Sequence, residues 1–287
     1  MTKRLRLAIQ KKGRLGSLIP VLLKKAGLQF ETHENMLFAS CESMPIDIIF
    51  IRHRDIIPFI LQGQADLGII GSDVYQEEKC SLPIVLPLAI AKSSLAIAVP
   101  HESSIKTSKD LNKKTIATTF PVLVQNYFGK RNLDVKTVRV SGSVEIAPRL
   151  GVADAVADLV GTGSTLKVNG LRIIDTILKT EAILISKENV NKSDTTLIAQ
   201  LTQQLQSVID AGRYSYVVFN LPEKFLPLVH QIFPGLSGPS IIPIEAKEPM
   251  VAVHLVVEKI VMWEKIHALQ AIGATGIGVL PIENLLF

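Results

Sequence analysis

Residues 151–172 read GVADAVADLVGTGSTLKVNGLR, and the fold class turns on this stretch. An apolar run leads into Gly161-Thr162-Gly163-Ser164-Thr165, and helix-compatible residues follow. The order is strand, turn, helix. Such a turn offers unpaired backbone N–H groups to an anion, and the helix start adds its positive dipole end. Gly161 and Gly163 let the main chain approach the anion closely, while Thr162, Ser164 and Thr165 add hydroxyl donors. Asp154 and Asp158 stand four apart just upstream. Their carboxylates suit the hydroxyls of a sugar, or a magnesium ion carried by a sugar phosphate. That spacing puts both on one face of a helix and equally on one face of a strand. The segment lacks the Gly-Lys-Ser/Thr ending of a nucleotide P-loop, and its glycine spacing is wrong for a dinucleotide fingerprint. The plainer alternative is a small-residue turn capping an ordinary helix.

Working outward, 287 residues leave room for two or three domains and a sizeable core. A content of 47% hydrophobic and 20% charged residues describes a soluble globular chain. The net charge of +5 is mild and unclustered, which suits phosphorylated ligands but not a nucleic-acid binder. Aromatic residues at 5% also argue against stacking on single-stranded bases. Cys41 and Cys80 show no metal-ligand spacing and read as reduced thiols. The opening MTKRLRLAIQ turns polar at once, so no signal peptide is expected. No apolar run reaches the length of a membrane span, and the cytoplasm is the expected location.

The first strand is marked by Leu5, Leu7 and Ile9. It runs into Lys11-Lys12-Gly13-Arg14 and a helix for which Ser17 is the expected N-cap and Gly27 the stop. Lys11, Gly13 and Arg14 therefore fall in a βα turn. In an open α/β sheet such turns border the ligand crevice. Two cations and a glycine there suit a pyrophosphate or triphosphate; a solvated basic turn is the alternative. Residues 46–51 (IDIIFI) read as a buried strand followed by Arg52 and Arg54, and residues 65–71 as another that leads to Asp73. Asp73 binds ligand or caps the next helix. The pattern restarts near residue 87. It proceeds through strands at 95–99, 115–118 and 135–140, a loop containing Glu145, the quoted segment, and a strand at 173–178. EAILIS at 181–186 returns the chain to the first half. The expected architecture is α/β with two lobes, 1–90 with 181–211 and 91–180, on the plan of the type II periplasmic binding proteins. Fold alone names no function.

Residues 195–211 are amphipathic and read as a connecting helix. The remainder, 212–287, follows the order βαββαβ, the ferredoxin-like plan. Met262, Ile266, Leu269 and Ile272 form the core stripe of its second helix. Trp263, His254 and His267 read as packing or surface residues.

The acid pair followed by TGST resembles the site that phosphoribosyltransferases use for 5-phosphoribosyl 1-pyrophosphate (PRPP). Seven segments extend the likeness over essentially the whole chain: KKGRL (11–15), IRHRDI (51–56), ADLGIIGSD (65–73), GSVEIAPRLGVADAVADLVGTGSTLKVNGLR (142–172), PGLSGPSIIP (234–243), VAVHLVV (251–257) and LQAIGATGIGVLPIE (269–283). Together they resemble the long form of ATP phosphoribosyltransferase, the first enzyme of histidine biosynthesis. The resemblance implies that ATP and PRPP give N1-(5-phosphoribosyl)-ATP and pyrophosphate with magnesium. It implies that Gly161, Thr162, Gly163, Ser164 and Thr165 hold the 5-phosphate, and that Asp154, Asp158 or both engage the ribose hydroxyls or magnesium beside Glu145. Lys11, Gly13, Arg14, Arg52 and Arg54 would face pyrophosphate or triphosphate, and Asp73 a sugar or base. The tail would sense histidine as an allosteric inhibitor, with Ser240, Asn220 and Ala271 as candidate contacts. The family also implies a homo-oligomer, a hexamer with dimers as the active unit.

Two other classes fit parts of the pattern. A solute-binding protein shares the two-lobe plan but needs no PRPP-like loop. A biosynthetic enzyme with a sensor tail, such as prephenate dehydratase, shares the architecture but not the ADLVGTGST segment.

Overall fold

The computed structural model describes residues 4–33, 35–161, 163–233 and 238–287. It packs as two units, one drawn from residues 1–21 and 28–196 and the other from 22–27 and 197–287.

The first unit contains two sheets. Strands β1 (Leu5–Gln10), β2 (Phe38–Ser40), β3 (Ile46–Ile51), β4 (Leu67–Gly71) and β5 (Ile84–Pro87) are interspersed with helices α1 (Gly13–Lys25, of which the part up to Val21 belongs to this unit), α2 (Ile56–Leu61) and α3 (Ser72–Glu77). The chain then crosses to a second lobe. This holds β6 (Ser93–Pro100), β7 (Thr115–Thr118), α4 (Pro121–Gly129), β8 (Lys136–Arg139), β9 (Ala155–Val160), α5 (Ser164–Val168) and β10 (Leu171–Thr180). It returns as β11 (Ala182–Ser186), which inserts antiparallel between β4 and β5.

Lobe I has the strand order β2-β3-β1-β4-β11-β5, and lobe II has β10-β6-β9-β7-β8. In lobe I, β1 pairs parallel with both β3 and β4. In lobe II, β7 pairs parallel with β8 and β9. In lobe I, β4 is buried along its whole length, β3 buries alternate residues and β1 buries most of its residues; Leu7, Ile9, Ile46, Ile48, Leu67 and Ile69 have no exposed surface. Lobe II closes around Ile97, Val99, Ile116, Val124 and Phe128.

The structure differs from the sequence expectation at α1. That helix begins at Gly13, so Ser17 lies inside it, and the Ser17 hydroxyl donates to the Arg14 carbonyl at 2.9 Å. Gly13 and Arg14 open the helix rather than lying in a turn before it. The short strands β2 and β5 carry no periodic signal of their own.

The second unit contains α6 (Lys192–Ala211) from Leu197 onward, then β12 (Tyr214–Pro222), α7 (Leu226–Ile232), β13 (Ser240–Ile244), β14 (Met250–Glu258), α8 (Met262–Ala271) and β15 (Thr275–Pro281). The order β13-β14-β12-β15, antiparallel throughout, is the ferredoxin-like arrangement. Val217, Phe219, Leu221, Val253 and Leu269 form its core. The packing takes most of α6 with this unit rather than with lobe I. Leu201 and Leu205 are fully buried, and the Ser207 carbonyl accepts the Leu285 amide at 3.0 Å.

Candidate active site

The parallel strands of both lobes end on one cleft. Gln10, Ile51 and Gly71 close the lobe I strands, and Thr118, Arg139 and Val160 close those of lobe II. This is where an open α/β sheet presents its loops to a ligand. Three cavities of about 520, 370 and 340 Å3 line up there. Leu159 borders all three, so they form one continuous groove.

The largest of the three lies at the loop between β9 and α5, the candidate phosphate site. Gly161, Gly163, Ser164 and Thr165 line one wall; Arg14 and Lys92 supply two cations. Gly163 has φ +79°, a left-handed conformation that L side chains rarely adopt. It turns the chain from β9 into α5 within three residues. Thr162 lies outside the described residues. Because α5 has only five residues, an anion placed here would meet the loop's N–H groups, its hydroxyls and the two cations more than a helix dipole. Arg14 reaches the loop from the other lobe, and its guanidinium also donates to the Lys92 carbonyl at 3.0 Å.

The acidic partner is Glu145, not Asp154. Asp158 lies near the carboxyl end of β9 and borders two of the cavities. Burial pushes its carboxyl above the usual range. A hydrogen bond from the Leu159 amide opposes this, and the Glu145 charge adds to it. Glu145 sits in a 3-10 turn at Val144–Ile146, close enough for that interaction. Asp154 precedes β9 at the opposite strand end, about 13 Å along the chain from Asp158. Its carboxylate accepts the Thr115 amide at 2.9 Å and lies 3.5 Å from Lys114 Nζ. It ties the beginnings of β7 and β9 together, away from the cleft. The four-residue spacing is real, but in a strand it separates the two groups by most of the strand's length.

Lys11 and Arg52 follow directly on the paired residues Gln10 and Ile51, so both leave neighbouring strands at the carboxyl end of the sheet. Arg54 borders the 370 Å3 cavity together with His53, Arg139 and Asp158. Asp73 is buried in the first turn of α3 and borders the 340 Å3 cavity. Its carboxylate accepts the Thr180 hydroxyl at 2.8 Å, and its amide donates to the same oxygen at 3.1 Å. Gly71, not Asp73, is the N-cap, with no side-chain hydrogen bond. A Cβ at 71 would stand 2.1 Å from the Asp73 carboxylate, so glycine makes room for it. His53 is held below its usual pKa by burial and then by Arg54, against the opposing charges of Asp73, Asp55 and Glu78. It faces the groove as a neutral imidazole at pH 7.

In the C-terminal unit, Ser240 and Asn220 lie on the sheet face away from α7 and α8, on strands separated by β14. Ala271 is exposed on α8, which covers the opposite face. The three do not share one face of the sheet.

The sequence profile of ATP phosphoribosyltransferase (HisG) matches residues 52–207, and that of its C-terminal domain matches residues 211–284. The chain belongs to the ATP phosphoribosyltransferase family. An ATP phosphoribosyltransferase of Maricaulis maris is 39% identical over 100% of both chains, and one of Methanocella arvoryzae is 39% identical over 98% of this chain and 99% of its own. Among solved structures, the ATP phosphoribosyl transferase (HisG:HisZ) complex from Thermotoga maritima matches with a TM-score of 0.62 and 30% identity. That match covers 72% of this chain and 98% of the other. The periplasmic aliphatic sulphonate binding protein SsuA of Escherichia coli matches at a TM-score of 0.50 and 18% identity, over 74% of this chain and 70% of its own, which shows the shared two-lobe fold.

For a member of the ATP phosphoribosyltransferase family, the groove also contains residues that the sequence alone did not single out. Lys92 lies in the crossing between lobes, Arg139 ends β8, and Phe120 precedes α4. Only Arg139 carried a usable signal, as a cation at the carboxyl end of a recognisable strand. Among the described residues no helix is long and apolar enough to cross a membrane.

Proposed function

We propose that the chain transfers the 5-phosphoribosyl group of PRPP to N1 of the adenine of ATP, releasing pyrophosphate, as the first step of histidine biosynthesis. The observation that carries this reading is the cross-lobe cavity in which Arg14 and Lys92 face the loop 161–165 with Asp158 at its edge. The loop takes the 5-phosphate. Asp158 and Glu145 take the ribose hydroxyls. Lys11, Arg14, Arg52, Arg54 and Arg139 face the pyrophosphate and triphosphate. The rate comes from holding two polyanions in line and from stabilising the charge that develops on the leaving group.

Among the described residues no three His, Cys, Asp or Glu side chains gather as a metal cage. Two carboxylates beside a phosphate loop fit an ion that arrives on the substrate, with Asp158 and Glu145 as its protein contacts. Magnesium bound in that way neutralises the pyrophosphate.

The C-terminal unit is the histidine sensor in this reading, with Ser240, Asn220 and Ala271 as its candidate contacts. The protein works in the cytoplasm as a homo-oligomer, from dimer to hexamer. The exposed sheet face that carries Ser240 and Asn220 supports a contact surface there.

The test mixes the purified chain with ATP, PRPP and magnesium and follows the ultraviolet absorbance of phosphoribosyl-ATP, with and without histidine. PRPP-dependent product suppressed by histidine is the expected result. Product without suppression removes the sensor assignment and leaves the enzyme. Folded protein that makes no product removes the enzyme.

A further inference from the structure

We propose that Glu77 is a positioning residue that latches lobe I to lobe II and sets the closed arrangement in which the substrates bind. Glu77 ends α3 in lobe I and is only 6% exposed. Its Oε1 accepts the Val122 amide at 3.1 Å and its Oε2 accepts the Leu123 amide at 3.0 Å. Both donors belong to the first turn of α4 in lobe II, directly after Pro121, which has no N–H to satisfy. One buried carboxylate therefore takes the leading amides of a nine-residue helix across the lobe boundary, and the helix dipole favours its charge.

The other end of α3 is fixed as well. Ser72 and Asp73 hold the Thr180 hydroxyl in the return crossing, with Ser72 Oγ 2.9 Å from Thr180 Oγ1. Between these ends, Val74 packs against the cores of both lobes. Helix α3 is thus a strut from the crossing to α4. Glu77 also borders the 370 Å3 cavity, but both of its oxygens are bonded to main chain, so it acts on the groove by placing α4 rather than by touching the reacting atoms. Its effect falls on the fraction of molecules whose lobes are closed, and a ligand that needs the closed lobes binds more weakly as that fraction falls.

This inference rests on the phosphoribosyl-transfer reading. The test compares full-length wild type with Glu77→Gln and Glu77→Ala. The Gln variant keeps the shape but turns an N–H donor toward an amide N–H. The KM for PRPP and for ATP should rise together by roughly tenfold, with kcat at saturation kept within about twofold. The Kd for PRPP with magnesium, measured by calorimetry, should rise by the same factor as KM. An unchanged KM overturns the latch. So does a lowered KM, which would mean that the carboxylate blocks the α4 amides from substrate, and so does a fall in kcat with KM constant. Should Glu77→Ala fail to fold, the near-isosteric Gln variant decides. Wild type assayed alongside separates the two readings: inactive wild type defeats the reaction, whereas active wild type with unaltered variants defeats the latch alone.

Discussion

A guanidinium nitrogen of Arg14 stands 3.3 Å from the point where a Cβ on Gly161 would sit. Arg14 comes from lobe I and Gly161 from lobe II, so glycine at 161 lets a cation from one lobe lie on the phosphate loop of the other. Gly161→Ala would push on the far end of a flexible side chain rather than on backbone, so the fold should survive. The PRPP KM should rise by about tenfold, the worth of one charge-assisted hydrogen bond. Initial rates against PRPP concentration, beside a thermal melt that stays unchanged, check this.

Asp158 places function against stability. Its carboxyl is raised chiefly by burial, with Glu145 adding to the shift. A carboxyl whose folded pKa lies above its unfolded value stabilises the fold fully below the unfolded value, near 3.9. That contribution is lost as pH rises through the raised folded value. At pH 7 the ionised form is therefore a burden on the fold. Asp158→Asn should melt at a higher temperature than wild type at pH 7, with the gap narrowing toward pH 4, while kcat/KM falls by about a hundredfold or more. A variant that melts lower at pH 7 contradicts the sign.

Asp154→Ala should do the reverse. The Thr115 amide would lose its carboxylate acceptor. Because Asp154 is 37% exposed, water replaces part of that bond. The cost is about 1 kcal/mol, with kcat and both KM values unchanged. Urea unfolding and steady-state rates on the same preparation test it.

Lys187 bridges Asp66 at 2.6 Å and Asp194 at 3.2 Å, and both carboxylates are nearly buried. Burial alone would lower the Lys187 ammonium, but the bonds and charges of the two acids outweigh it and the net shift is upward. Lys187→Met takes that cation away and should cost about 3–5 kcal/mol. The midpoint of chemical unfolding reports it; a loss under about 1 kcal/mol would mean that water or other donors make up for the ammonium.

Much of the architecture was legible because the apolar runs at 46–51 and 182–186 and the βαββαβ order of the tail are local patterns. The strand–turn–helix order at β9 and α5 was legible for the same reason, since an apolar run, glycines and helix formers at consecutive positions act together wherever the segment lies. The acid pair was not. Asp154 and Asp158 have identical local credentials, and only the parallel pairing of β9 with β7 shows that one faces the cleft and the other its far side. Lys92 and Glu77 depend on where the crossing and α3 lie in space. No spacing rule reaches across about 45 residues to find the amides that Glu77 binds.

The insertion of β11 between β4 and β5 has a consequence for synthesis. Among the described residues β5 pairs only with β11, and β4 reaches its second neighbour through the same strand. As the chain leaves the ribosome, the first-made sheet must wait, lacking an inner strand and exposing two unpaired edges, until residue 186 emerges. Lobe II is continuous between β6 and β10 and can complete its own sheet earlier. The part of the chain made second is therefore the first able to finish folding, and the nascent lobe I edges are the stage at which aggregation or chaperone capture would act.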